Sequence, residues 1–168
     1  RRSERQLAEV FRTSPIGMCI TRAADGTIID INETLLAQVG YAREEAVGTT
    51  MEALGLWPQA DRLAEVEARL ASEGSVRNLE LRCQGRSGRP LEVVTSWTRI
   101  ILGGEVCTII LVDDRTAERT VTRDIERLFT LSSDLISVAS FDGYLRRINP
   151  AASATLGYSE EEVRTIRF

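Results

Sequence analysis

One 24-residue segment occurs twice in this chain of 168 residues: DGTIIDINETLLAQVGYAREEAVG at 25–48 and DGYLRRINPAASATLGYSEEEVRT at 142–165. The two copies lie 117 residues apart, and 9 of their 24 aligned positions are identical. An offset of this size is the length of a domain rather than of a solenoid repeat. The sequence therefore predicts two copies of one domain, the second of which stops early in its fold.

The identities between the copies are typical of turns and helix ends. Asp25-Gly26 lies between two apolar runs, where a tight hairpin needs the positive φ that Asp and Gly tolerate. Asn32 precedes a helical stretch, and its side chain can accept the first free backbone N–H groups. Gly40 follows about two turns later and favours a helix end. We interpret these identities as structural rather than as contacts to a ligand.

The apolar periodicity predicts five strands, with helices inserted after the second. The expected elements of the first copy are a helix over 3–12, strands over 16–22 and 27–31, a helix over 58–73, and strands around 79–83, 91–97 and 106–112. The last run is apolar on both faces, which predicts a central strand covered on both sides. These elements describe an α+β fold, an antiparallel sheet with helices on one face.

The second copy differs from the first at one helix start and at its length. Ser159 and Glu162 form a capping box, whereas Ala42 occupies the equivalent cap position in the first copy. The second copy holds two strands and two short helices, too few to close a core. We therefore expect its apolar residues to be covered by the first copy or by another chain, namely Leu135, Ile136, Val138, Leu145 and Ile148.

Composition excludes several classes of function. The chain has 21 basic residues, all Arg and spread along its length, and a net charge of −4, which argues against a nucleic-acid surface. It has no His, which excludes imidazole catalysis and His-ligated metal or haem. Three cysteines without a C-x-x-C pair suggest neither disulfides nor a metal cluster. No apolar run of about 20 residues is present, and we expect a cytoplasmic piece of a longer polypeptide that makes no membrane contact.

The stretch 115–131 is predicted to form a linker helix. Val121, Ile125 and Leu128 are spaced four and three residues apart, like the seam of a parallel coiled coil. Together with Leu7 and Phe11 of the N-terminal helix, they are the candidate dimer contacts. A plain amphipathic linker is the alternative.

The order of these motifs resembles the PAS domain, a sensory module of bacterial histidine kinases, diguanylate cyclases and related regulators. The matching stretches are Ser14-Pro15-Ile16-Gly17, Asp25-Gly26, Ile31-Asn32, Gly40-Tyr41, Glu44-Glu45, Leu54-Gly55-Leu56-Trp57-Pro58 and Asp114-Arg115-Thr116-Ala117-Glu118-Arg119. The resemblance implies a flanking helix over 1–14, a PAS domain over 15–114 with a five-stranded antiparallel sheet, the linker helix over 115–131, and the N-terminal part of a second PAS domain over 132–168.

The resemblance also implies a function. It indicates a non-catalytic sensory or regulatory module that senses a small molecule or a partner, forms a homodimer, and signals through the linker helix to a downstream output domain. Asp114 and Thr116 match the D-x-T pair that joins the last strand of the family to its outgoing helix. The alternative is a ligand-free dimerisation scaffold. An enzyme is not expected, because the chain has neither His nor a convergent carboxylate pair.

A pocket is expected between the sheet and the long helix, although a core filled by side chains is the alternative. Its candidate lining residues are Met18, Ile20, Ile31, Trp57, Leu63, Val66, Leu70, Leu81, Val93, Thr95, Trp97 and Ile109. We predict no resident cofactor or metal. The reactive cysteine stretch of the flavin photoreceptors and the histidine of the haem branch are both missing, and Cys19, Cys83 and Cys107 fall on predicted strands. An unidentified small ligand, or a flavin stacked on the tryptophans, is left open.

Overall fold

The computed structural model describes residues 2–56 and 60–167, which form two compact units, 1–117 and 118–168. The first unit contains α1 (Arg2–Thr13), β1 (Gly17–Arg22), β2 (Ile28–Ile31), α2 (Glu33–Val39), α3 (Arg43–Ala46), α4 (Ala60–Glu73), β3 (Ser75–Gln84), β4 (Pro90–Leu102) and β5 (Glu105–Asp114). Helix α5 (Thr116–Leu131) follows, and then β6 (Ser137–Ala139), β7 (Leu145–Ile148), α6 (Pro150–Leu156) and α7 (Glu160–Val163).

The five strands of the first unit form an antiparallel sheet in the order β2-β1-β5-β4-β3. The pairings Cys19↔Ile110 and Trp97↔Ile110 align one row of buried side chains across the three inner strands. Helices α2 and α4 cover this face with buried side chains that include Leu36 and Leu70. The predicted α+β fold, a five-stranded antiparallel sheet with helices on one face, is therefore confirmed.

The other face of the sheet is less well covered. Successive side chains of a strand point to opposite faces, so Ile109 and Leu111 of β5 lie on the face opposite to Ile110, and both are half-buried. Met18 of β1, which pairs with Leu111 on the same face, is also half-buried. The prediction that this strand is covered on both sides is wrong for the single chain. Its apolar composition reflects its central place in the sheet.

Asn32 joins three elements of the first unit. Its fully buried side chain accepts hydrogen bonds from the backbone N–H groups of Met18 (2.8 Å) and Leu35 (3.0 Å). Its amide group donates to the carbonyl oxygens of Phe11 (3.1 Å) and Ile16 (2.9 Å). One asparagine therefore caps α2 and ties it to the end of α1 and to the start of β1.

The second unit repeats this arrangement. The side chain of Asn149 accepts hydrogen bonds from the N–H groups of Ile136 and Ala152, both at 3.0 Å, and donates to the carbonyl oxygens of Ser132 and Asp134. Three of the four bonds thus correspond between the copies, with Ile136, Ala152 and Asp134 in the places of Met18, Leu35 and Ile16. The fourth acceptor, Ser132, is not the residue equivalent to Phe11.

The second unit has a small core of its own. The buried apolar side chains are Ile148, Ala152 and Val163. Leu135 and Val138 are both exposed. The expectation is wrong for Ile148 and Leu145, because other residues of the same unit cover them. Coverage of Leu135 and Val138 by the first copy or another chain stays a prediction.

Ala42 leaves the N-terminus of α3 partly capped. The Glu45 carboxylate accepts a hydrogen bond from the Ala42 N–H group at 2.9 Å, but Ala42 has no side-chain acceptor to offer in return. The Ala42→Ser variant should raise the free energy of unfolding of the first unit by about 0.5–1 kcal/mol, because the hydroxyl completes the box. Urea unfolding followed by tryptophan fluorescence measures this change, since both tryptophans lie in the first unit.

The matched control is Ser159→Ala, which removes the complete box of the second unit, where Ser159 accepts from the Glu162 N–H group and Glu162 accepts from that of Ser159. It should leave the tryptophan transition unchanged. A shift of that transition in the control, or none with Ala42→Ser, would contradict the prediction.

Candidate functional site

The junction between β5 and α5 is fixed by side-chain and backbone hydrogen bonds. Thr116 donates to one Asp114 carboxylate oxygen through its backbone N–H group (2.9 Å) and through its hydroxyl (2.5 Å). The same hydroxyl accepts from the Glu92 N–H group (3.0 Å), and the Arg115 N–H group donates to the Glu92 carbonyl oxygen (2.8 Å). The start of α5 is thereby held to strand β4 as well as to β5.

A small cavity lies next to this junction, and we call it the junction cavity. Its volume is about 20 Å³, room for about one water molecule. Most of its wall is apolar and includes Met51, Val93 and Val112. Its lining also includes Gln38 of α2, Cys83 of β3 and Asp114 of β5. Asp114 therefore belongs both to the cavity and to the junction with α5.

A second cavity, the hairpin cavity, lies beside the β1–β2 turn and has a volume of about 100 Å³. The apolar part of its wall includes Leu63 of α4, Trp97 of β4 and Ile110 of β5. Asp25 and Glu67 add carboxylates to the lining. This cavity is larger and more polar than the junction cavity.

Arg99 connects α4 to the sheet beside the hairpin cavity. Its guanidinium group donates to the Glu67 carboxylate at 2.5 Å and to the Thr108 hydroxyl at 2.8 Å. The Arg99 side chain is 20% exposed, so its charge is mostly removed from water and needs a partner. The ion pair holds the helix over the cavity.

The structure distributes the predicted pocket residues over several places. Val93 lines the junction cavity, and Leu63 and Trp97 line the hairpin cavity. Others are buried in the core without lining either cavity, namely Ile31, Val66, Leu70 and Thr95. Leu81 is half-buried and packs against this core. Trp57 lies outside the described residues.

Three predicted pocket residues lie on the wrong face of the sheet. The pairing Ile20↔Ile109 follows directly after Cys19↔Ile110. Because Cys19 and Ile110 face the core, the alternation of side chains turns Ile20, Ile109 and likewise Met18 to the outer face. The prediction is wrong for these three residues, and Cys19 and Ile110 face the core instead.

The predicted seam residues of α5 are available for contact in the single chain. Val121, Ile125 and Leu128 are 58%, 59% and 72% exposed. Phe11 of α1 is half-buried, and the side chain of Leu7 lies outside the described residues. The homodimer stays a prediction, as do the domain boundaries.

Sequence reasoning missed Gln38 and Met51 as cavity residues. A signal for Gln38 exists, because it lies three residues after Leu35 and next to Val39, on the apolar side of α2. Met51 follows α3 in an irregular segment, where spacing gives no such signal.

The three cysteines are all buried. Burial raises the pKa of the Cys83 thiol to about 11, with a further contribution from the Asp114 charge, and burial alone raises the pKa of Cys19. A buried, protonated thiol is a poor nucleophile. At pH 8 the native protein should therefore react with dithionitrobenzoate at least tenfold more slowly than free cysteine, and all three thiols should react after unfolding in urea. Rapid reaction of a native thiol would contradict this expectation.

The described part of the chain has neither a metal-binding cluster nor a membrane-spanning helix. There, no group of three His, Cys, Asp or Glu side chains is arranged to hold a metal ion. No described helix has both the length and the apolar composition that crossing a bilayer requires.

Known structures share this fold. A PAS domain of a protein from Colwellia psychrerythraea is 22% identical, with a TM-score of 0.60 over 68% of this chain and 98% of that one. A domain of a sensory box sensor histidine kinase/response regulator from Geobacter sulfurreducens is 22% identical, with a TM-score of 0.56 over 67% of this chain and 94% of that one. The PAS domain of a LuxR-family transcriptional regulator from Burkholderia thailandensis, in complex with ethanol, is 19% identical, with a TM-score of 0.52 over 64% and 95%.

Family models cover most of the sequence. No curated protein matches the chain. The model described as PAS fold matches residues 5–115, and one described as PAS domain matches residues 123–168. The first match covers more than half of the chain. The chain belongs to the PAS family.

Proposed function

We propose that this chain is a non-catalytic sensory and regulatory module of a bacterial signal-transduction protein. A small molecule or a partner bound to the first unit shifts its conformational equilibrium, and α5 passes the shift to a downstream output domain. PAS domains are generally sensory rather than catalytic, and structural neighbours of this chain come from sensor histidine kinases. The homodimer, with α5 at its interface, is part of the proposal.

The observation that carries the proposal is the double role of Asp114. Its carboxylate accepts two hydrogen bonds from Thr116 at the start of α5, and the same residue lines the junction cavity. A ligand shifts an equilibrium only through its different affinity for the two states. A molecule in this cavity lies against a wall that includes Asp114, so its binding can favour one arrangement of the α5 start over another.

The cavity volumes favour a small ligand. The junction cavity, at about 20 Å³, holds about one water molecule, and the hairpin cavity, at about 100 Å³, holds a few heavy atoms. Sites for drug-sized molecules are roughly 300–1,000 Å³. The ethanol held by the PAS domain from Burkholderia thailandensis is a ligand of this size. We therefore favour a small molecule over a flavin.

A ligand-free scaffold is the second candidate, favoured by the small size of the junction cavity and the exposed apolar seam of α5. In that case the first unit serves dimerisation and transmits strain between neighbouring domains. Native mass spectrometry of the purified chain distinguishes the two candidates. A retained small molecule supports sensing, and a mass without ligand supports the scaffold.

The junction is tested by Thr116→Val, which keeps the side-chain shape and removes the hydroxyl that bonds Asp114 and Glu92. Each lost bond is worth about 1 kcal/mol. The backbone amides in the first turn of α5 should therefore exchange with deuterium roughly tenfold faster. The amides of Val93 and Val112 in the cavity wall should also exchange faster.

The matched control is Thr122→Val on the same helix. The Thr122 hydroxyl is exposed and donates to the Glu118 carbonyl oxygen of the preceding turn. This variant should leave exchange in the cavity wall unchanged. If Thr116→Val also leaves the wall unchanged, the cavity and the helix are not coupled and the proposed relay is wrong.

A further inference from the structure

The hairpin cavity is open to solvent at one end and buried at the other. Asp25 and Glu52 of its lining are exposed, whereas Trp97 and Ile110 are buried in the core. Its volume of about 100 Å³ has room for a molecule of a few heavy atoms. Such a molecule can enter past the exposed residues and place its inner end against the core.

The sheet register places polar side chains beside apolar ones on the inner face. The pair Trp97↔Ile110 lies two residues along the strands from the pairs Arg99↔Thr108 and Thr21↔Thr108. Because side chains on one face of a strand repeat every two residues, the polar row lies about 7 Å from the apolar row. A ligand of a few heavy atoms therefore contacts both rows at once.

Thr21 brings a hydroxyl group without a partner to the polar row. Its side chain is turned to the same inner face as that of Cys19, and the residue is only 7% exposed. Among the described residues, no hydrogen bond involves its hydroxyl group. Buried polar groups are nearly always paired, because an unpaired one keeps its desolvation cost. A ligand that forms a hydrogen bond in this cavity is therefore stabilised at Thr21.

The charge of the lining selects the charge of the ligand. The ionisable side chains that line the cavity are all acidic, namely Asp25, Glu52 and Glu67. Arg22 pairs with Asp25 at 3.3 Å and Arg99 pairs with one Glu67 oxygen at 2.5 Å, but neither arginine is part of the lining. Within the described ranges, the Glu52 carboxylate has no ion pair. The cavity therefore attracts a cation and repels an anion.

An organic cation fits these walls better than a metal ion. In the part of the chain that the structure describes, no group of three acidic side chains is arranged to hold a metal. The carboxylates stand beside an apolar wall that includes Leu63, Trp97 and Ile110. A ligand with one charged group and a short hydrocarbon part matches both kinds of surface.

We propose that the hairpin cavity binds a small organic cation of the short-chain primary ammonium class. Its ammonium group donates hydrogen bonds to the Thr21 hydroxyl and to the carboxylates of the lining, and its hydrocarbon part contacts Trp97 and Ile110. This inference deepens the proposed function and rests on it for the regulatory effect. The connection is Met51, which lines both this cavity and the junction cavity.

The expected affinity is low, because a ligand of about four heavy atoms makes few contacts. We expect a dissociation constant of roughly 1 mM. Propylammonium chloride is titrated into the 168-residue chain at constant ionic strength, since salt screens exposed charges, and ¹H–¹⁵N NMR follows binding. The backbone signals of Thr21 and Ile110 and the indole signal of Trp97 should shift together and saturate. Shifts that grow in proportion to the ligand without saturating would overturn the proposal.

Thr21→Val tests the hydroxyl group, because it keeps the side-chain shape and removes the acceptor. This variant should bind propylammonium about fivefold more weakly. The matched control is Thr98→Val, at an exposed position of β4 outside the cavity, which should bind as the unchanged protein does. Equal affinity in Thr21→Val would overturn the proposal.

Glu52→Gln tests the carboxylates at an exposed position, where the substitution does not disturb the core. It should weaken propylammonium binding about threefold. Glu44→Gln is the matched control, because Glu44 is also exposed and lies outside the cavity. It removes the same charge from the chain and should leave the affinity unchanged. Equal affinities in the two variants would contradict recognition by the lining and overturn the proposal.

A comparison of ligands on the unchanged protein keeps the proposal falsifiable if Thr21→Val does not fold. Propylammonium should bind about tenfold more tightly than 1-propanol or propionate, which have nearly the same size. Binding of 1-propanol or propionate as tight as that of propylammonium would overturn the assignment to a cation.

Deuterium exchange of the first-turn amides of α5 separates this proposal from the proposed function. If propylammonium saturates the Thr21 signal while exchange at Thr116 is unchanged, the cation site stands and the relay fails. If propylammonium does not bind saturably while Thr116→Val still loosens the wall of the junction cavity, the relay stands and the cation site is overturned.

Discussion

Replacing Asn32 with alanine is expected to lower the free energy of unfolding of the first unit by about 3–4 kcal/mol. The substitution removes two hydrogen bonds that the side chain accepts and two that it donates, all at a fully buried position. Each bond is worth about 1 kcal/mol, and the partner groups are left without their bonds. The loss of the α2 cap is part of the same cost.

Urea unfolding followed by tryptophan fluorescence measures this loss. The matched control is Asn149→Ala, which removes the equivalent bonds from the second unit. Because no tryptophan lies in the second unit, the control should leave the fluorescence transition in place. A loss of less than about 1 kcal/mol for Asn32→Ala would show that the four bonds are not jointly required.

Gly17→Ala is expected to destabilise the first unit by about 2–3 kcal/mol. The added Cβ atom would lie 2.7 Å from Oε1 of Gln38, 3.0 Å from the carbonyl oxygen of Val112 and 3.2 Å from Cβ of Leu35. The last two contacts can be relieved only by moving β5 or α2. The midpoint of thermal unfolding should fall accordingly.

The double variant Gly17→Ala/Gln38→Ala identifies which contact matters. Removal of the Gln38 amide relieves the shortest contact, so the Gly17→Ala substitution should cost about 1 kcal/mol less in this background. If Gly17→Ala destabilises the Gln38→Ala protein as much as the unchanged protein, the strain comes from the contacts with Val112 and Leu35 instead. Met18 and Ile136 are equivalent, since their N–H groups bond Asn32 and Asn149, so the position equivalent to Gly17 is Leu135. A large side chain is tolerated there because β6 pairs with β7 alone among the described strands.

Features set by neighbouring residues were predictable from the sequence. The Asp25-Gly26 hairpin, the Asn32 cap and the left-handed Gly40 that ends α2 all occur where the pattern indicated. Each depends on the conformational preferences of a few consecutive residues. The repeat strengthened these predictions, because the same residues recur at Asn149 and Gly157.

The sequence did not allow us to predict which row of side chains in each strand points to the core. In β1 and β5 both rows of side chains are largely apolar, so alternation alone cannot show whether Cys19 or Ile20 faces the core. The choice is made by long-range packing against α2 and α4. The Oε1 atom of Gln38, which accepts no hydrogen bond from the described residues, has the same origin, because hydrogen bonding at a buried site depends on elements far apart in sequence.

In the proposed relay, the attachment of α5 at its first turn lets the helix act as a lever. With 16 residues it is about 24 Å long, so a tilt of about 5° at Thr116 displaces its far end by about 2 Å. A displacement of that size is comparable to the helix shifts that separate the states of regulatory proteins. A tilt at Thr116 that is too small to change the packing of the core therefore produces a larger displacement at Leu131.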